Sequence, residues 1–179
     1  MARIEGFFAL LAGALIFGCA AVSSVEPVGE RPKEISQSEW GGTWIQQNHS
    51  ITIKVLDEQK GLLQVAWVEE KEDGLKFESY QVGIRESGEW IFGNVKEKED
   101  AASHYWALMK KDAGQIIVWT PDAAQFRKLV QTGVLRGKVE KYDVILEKLT
   151  PDDLKVILSG DKGVCFEWEN PAVFFRLGK

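Results

Sequence analysis

The chain has 179 residues, of which 45% are hydrophobic and 27% charged, with a formal net charge of −5 and a pI near 5.2. That length holds one domain with a short appendage. The acidic balance argues against nucleic acid as a partner, whose phosphates demand clustered Lys and Arg on one face. Seven Trp supply a core, and two Cys with no CxxC pair argue against a disulfide framework and a zinc centre.

The first element is an apolar run, Phe7 to Val22, preceded by Arg3 and Glu5. At sixteen residues it falls short of the about twenty needed to span a bilayer and has the length of a secretory h-region. It contains Ile16-Phe17-Gly18-Cys19, a small residue directly before a cysteine. These four residues resemble the lipobox of bacterial lipoproteins. The resemblance implies that residues 1–18 are a signal peptide and that Cys19 becomes the acylated first residue. It also implies a lipid-bilayer partner and a place in the bacterial cell envelope, on the outer membrane facing the periplasm. Removal of residues 1–18 takes away one Arg and one Glu, so the net charge is unchanged. Cys165 is then left unpaired. Within the apolar GVCFEW it reads as a small buried hydrophobe.

Residues 20–38 contain two Pro and four Ser with little apolar periodicity, and read as a flexible tether. The expected organisation is therefore a signal peptide (1–18), a lipidated terminus and tether (19–39), and one folded domain (40–179). From Trp40 onward short alternating segments separated by turns predict strands at 42–47, 50–56, 62–70, 75–86, 89–98, 103–111 and 115–120. Seven strands in series describe an up-and-down antiparallel meander, which removes its exposed edges by closing. The period then changes. Thr120-Pro121 opens a predicted helix over 121–132 that stops at Gly133, with Thr120 as the expected N-cap. Alternation around Tyr142, Val144 and Leu146 predicts another strand, and Thr150-Pro151 opens a second helix over 151–159. Pro171 separates two final strand candidates.

Catalytic signals are sparse. His49 and His104 have no partner at metal-ligand spacing, and no GxSxG or Gly-rich phosphate loop occurs. No catalytic residue, metal or cofactor is assigned, and an enzyme is not the expected class.

Gly42-Thr43-Trp44 near the start of the domain and Phe174-Phe175-Arg176 near its end resemble the calycin superfamily, which includes the lipocalins. That resemblance implies a barrel of about eight strands in which Arg176 lies across the Trp44 ring, with Gly42 allowing close backbone approach. The later half also resembles a group of bacterial lipoproteins, which implies a location and no activity. A barrel of this size is either filled by side chains or holds one small ligand. Trp67, Trp90, Phe92, Tyr105 and Trp106 are the candidate lining for a small apolar ligand. Aromatic walls suit a dry core equally well, and alternation does not settle which face points inward. Two readings follow. One is a lipocalin-like binding or carrier protein. The other is a non-enzymatic envelope protein with a solid core that docks a protein partner.

Overall fold

The computed structural model describes residues 20–46, 49–71, 74–96 and 101–178. The expected signal peptide and Cys19 lie outside the described residues. The strands are β1 (Val22–Ser24), β2 (Arg31–Pro32), β3 (Gly42–Gln46), β4 (His49–Asp57), β5 (Leu62–Lys71), β6 (Gly74–Ser87), β7 (Trp90–Lys96), β8 (His104–Asp112), β9 (Gln115–Trp119), β10 (Gly137–Glu140), β11 (Asp143–Leu146) and β12 (Ala172–Arg176). The helices are α1 (Gln37–Trp40), α2 (Ala123–Gln131) and α3 (Pro151–Ser159).

Strands β3 to β9 pair in sequence, each antiparallel to the next, and β12 lies between β9 and β3. The ring of eight strands is closed, as the meander requires. Alternation sets the inner face. Ile51 and Ile53 of β4, Leu63, Val65 and Trp67 of β5, Ile84 of β6, Ile116 and Val118 of β9, and Phe174 of β12 form one buried cluster. The β5–β6 ladder runs without a shift from Leu62↔Gly83 to Lys71↔Gly74. Inward positions therefore continue in phase through Val82 and Tyr80 to Glu78, and Phe77 is 72% exposed on the outside. Glu78 interrupts the hydrophobic pattern because the strand has reached the barrel rim there.

A second layer covers one side of the barrel. The edge of β8 is shared: Leu108–Asp112 pair with β9, whereas His104 and Tyr105 pair with β1. Beyond β1 the sheet continues through β11, parallel to it, and then β10. Helices α2 and α3 bury Phe126, Leu129, Leu154 and Ile157 in this layer against Phe92, Trp106 and Leu108 on the outer face of the barrel.

The tether expected over 20–38 is instead folded onto the barrel. Val22, Ser24, Val28 and Ile35 are buried. The polar composition of this stretch conceals how its backbone is paired. Asn94, buried on the outer face of β7, accepts from Val28 N–H through Oδ1 at 2.6 Å and donates Nδ2 to Val28 C=O at 3.0 Å. One side chain thus supplies both halves of a strand-like pairing. Arg85 donates to the carbonyls of Gly29 and Glu30, each at 3.0 Å. A Cβ on Gly29 would lie 2.6 Å from that of Arg85, and its φ of 110° favours glycine independently. Glu86 receives Lys33 and Arg31, each at 2.8 Å. Folded structure therefore extends at least about twenty residues before Trp40.

The two Thr-Pro-Asp triplets are used differently. Thr150 caps α3 in a reciprocal box with Asp153. In the first triplet Pro121 is held in a bridge to Phe166, and Asp122 N–H bonds Cys165 C=O. This delays the start of α2, whose N-cap is Asp122 rather than Thr120, with Oδ1 accepting from Ala124 and Gln125. Of the two strand candidates flanking Pro171, the second is β12, and the first supplies only the Phe166 bridge.

Candidate functional site

The barrel interior contains a cavity of about 80 Å³ whose exposed wall is wholly apolar. Trp40 lies at one end. Ile51, Ile53, Leu63, Val65, Ile84 and Phe174 form much of the wall, and Tyr80, Val95 and Tyr105 lie toward the opposite rim. Two inward positions of this wall are small. Gly93 on β7 faces Ala107 on β8 in register, so this part of the wall carries no bulk. Met109 covers the gap, close enough that a Cβ on Gly93 would meet its Sδ at 2.6 Å.

The end bearing Trp40 is closed by a stack of groups contributed by distant parts of the chain. Trp44 is fully buried and donates Nε1–H to the carbonyl of Trp40 at 2.9 Å. The guanidinium of Arg176 lies 5.5 Å from the Trp44 ring centre and donates to the carbonyls of Ser38 at 2.8 Å and Gly41 at 2.6 Å. Gly42, at φ 118°, turns the chain from α1 into β3 in a conformation that other residues rarely adopt. A second cation, Lys111 Nζ, stands 5.7 Å from the Trp40 ring and 5.6 Å from that of Trp44. Burial holds the Lys111 pKa below the usual lysine range. Glu39 opposes this shift, whereas the neighbouring Arg176 charge adds to it. Lys111 was concealed in the sequence because its alternating phase matches an ordinary charged strand end.

The candidate lining residues divide between two environments. Trp67 and Tyr105 belong to the interior, and Tyr105 lines the cavity. Phe92 and Trp106 turn their rings outward into the second layer, where Trp106 packs edge-on against Phe126 at 5.6 Å and Phe166 at 6.0 Å, while Trp106 also borders the cavity from β8. Trp90 also lies outside, packed against that layer and 6.5 Å from Trp168. Strands β7 and β8 are buried on both faces, so their aromatic content carries no facing signal.

At the rim opposite Trp40, His49 stacks on Trp67 with ring centres 4.9 Å apart. Buried Trp67 Nε1 and Gln46 Oε1 have no hydrogen-bond partner. Tyr80 donates its hydroxyl to Glu78 at 2.5 Å, and burial with that carboxylate raises its pKa well above the ordinary phenol value. No protein-family model, curated protein or solved structure matches this chain. The site therefore rests on its own geometry.

Chemically the interior offers dispersion contacts and exclusion of water. Among the described residues, no three His, Cys, Asp or Glu side chains come together as a metal site. Cys165 is buried, and burial followed by the Asp122 charge pushes its thiol pKa up to about 11. That suppresses the thiolate on which cysteine reactivity depends.

Proposed function

We propose that this protein is a lipid-anchored barrel of the bacterial cell envelope, held on the outer membrane by acylated Cys19, that carries the apolar end of a slender small molecule. The cavity is the observation that carries this reading, because a barrel serving only to dock a protein partner needs no interior space. Its 80 Å³ is about half the ~150 Å³ of an engineered cavity that accepts benzene. It is also well below the roughly 300–1,000 Å³ of ordinary ligand pockets. An unbranched hydrocarbon end suits that space, and a rigid polycyclic molecule does not. Entry is from the rim formed by Tyr80, Val95 and Tyr105.

Titration with straight-chain carboxylates of increasing length, followed by tryptophan fluorescence, tests the carrier function. Each added methylene is expected to contribute about 0.8 kcal/mol, a roughly four-fold gain in affinity, until the cavity is full. Ala107→Leu fills the space from the wall. It is expected to abolish binding at a stability cost of no more than about 1–3 kcal/mol, so that the variant still folds. Affinity independent of chain length, or undiminished binding to a folded Ala107→Leu protein, refutes the carrier reading. The anchor is tested separately. Cys19→Ser is expected to move the protein out of the membrane fraction and abolish lipid labelling, and retention of both refutes the anchor.

A further inference from the structure

The packing of residues 20–24 has a consequence for how the domain meets a membrane. Ala21 is already locked into the fold: its N–H donates to Asp143 Oδ1 at 2.9 Å, and its carbonyl accepts from Val144 N–H at 2.8 Å. Val22 and Ser24, in β1, are buried. Two peptide units separate the Cα of Cys19 from that of Ala21, a reach of at most about 7 Å. The polar layer on each side of a bilayer's hydrocarbon core is of the same order, about 5–7 Å. A lipid attached at Cys19 therefore has no slack with which to hold the barrel away from the headgroups.

The surface brought to the bilayer is the two-residue turn between β10 and β11. Glu140 and Asp143 are paired in register, leaving Lys141 and Tyr142 at its tip. Tyr142 is 67% exposed, although its neighbour Val144 is fully buried. Lys141 is held at φ 55°, the only non-glycine with positive φ among the described residues. Arg127 of α2 donates Nη2–H to the carbonyl of Tyr142 at 2.7 Å, bracing the turn from behind. The acidic groups nearby are engaged, Glu140 with Lys138 at 2.6 Å and Asp143 with Ala21 N–H. An exposed tyrosine beside a lysine combines an apolar ring, a hydroxyl and a cation, the chemistry enriched at membrane interfaces.

We propose that the Lys141-Tyr142 turn lies in the headgroup layer and, with the lipid on Cys19, holds the barrel flush against the membrane in one orientation. This rests on the reading of Cys19 as the acylated first residue.

The test uses the full chain, processed and acylated in a bacterial host and reconstituted in vesicles of phosphatidylethanolamine and phosphatidylglycerol. Two variants with one introduced cysteine each, Tyr142→Cys and Thr52→Cys, carry an environment-sensitive fluorophore. Thr52 lies exposed on β4, four strands around the ring from β8 and on the opposite side of the barrel. Buried Cys165 is not expected to label in the folded protein. The expected result is a blue shift at position 142 with strong quenching by nitroxide-bearing lipid, and neither effect at position 52. Protein that floats with the vesicles but shows equal, weak quenching at both positions overturns the flush orientation while leaving the anchor intact. Protein that fails to float, as a Cys19→Ser control should, overturns the anchor and the orientation together.

Discussion

Arg176 shows how a single side chain can join segments far apart in the chain. Its guanidinium donates to Ser38 and Gly41 and covers Trp44, so one group satisfies two loop carbonyls and shields an aromatic face. Arg176→Ala is expected to lower unfolding free energy by about 2 kcal/mol, from the lost contact over the ring and two released carbonyls, as measured by urea denaturation. Arg176→Lys should recover only a small part of the loss. One ammonium is a point charge that does not reproduce the planar fork spanning both acceptors. The Gly42, Trp44 and Arg176 positions were legible because each is a distinctive residue at one end of the domain. Lys111 was not, because a lysine at a strand end looks the same whether it reaches water or stands over two indole rings.

At the level of elements, legibility followed burial. Strands β4 and β5, with one face inside the barrel, alternate cleanly and were placed within one or two residues of their observed bounds. Strands β7 and β8 were located equally well, but the inward side of Trp90, Phe92 and Trp106 was not readable because both of their faces are covered. The stretch before Trp40 misled for the opposite reason. It has few apolar residues, and much of what fixes it is hydrogen bonding to its backbone, which composition does not reveal. Asn94 is the residue on which that attachment turns. Asn94→Leu keeps a similar volume but leaves the buried N–H and C=O of Val28 without their partners. The expected cost is about 3 kcal/mol. Hydrogen exchange should accelerate first over residues 28–33, with the β4–β5 ladder retaining its protection. Uniform acceleration across the barrel would contradict this assignment. Of the two ion pairs of Glu86, the one with exposed Arg31 contributes far less, since exposed ion pairs are typically worth under about 1 kcal/mol.

For the whole molecule, acid sensitivity has a defined origin. His104 sits where β8 leaves β9 for β1, with Nδ1 buried and unpartnered. Burial first, then the cross-strand Lys96 charge, lowers its pKa from 6.5, while the backbone of Val25 and Ser24 and the Glu26 carboxylate act in the other direction. Because the folded state binds this proton more weakly than the unfolded chain, the stability contribution is complete above the unfolded value. It is lost as pH falls through that value toward the folded one. Urea midpoints taken from about pH 8 down to about pH 5 are expected to decline, and His104→Gln should flatten that decline. The lowered pKa of Glu86, held chiefly by its hydrogen bond to Lys33, adds a further loss only near and below its ordinary value of 4.5.

The placement of β1 also sets an order in time. Ala21 is among the first residues of the described chain, yet its hydrogen-bond partner Asp143 lies 122 residues later. Strand β1 cannot take its position between β8 and β11 until both have been made. Such distant pairings slow folding, because the entropy of closing a long loop is lost before the contact forms. The beginning of the domain thus stays accessible through most of synthesis and becomes sequestered late. Any chemistry requiring reach to the chain just before Ala21 is easiest before β1 docks.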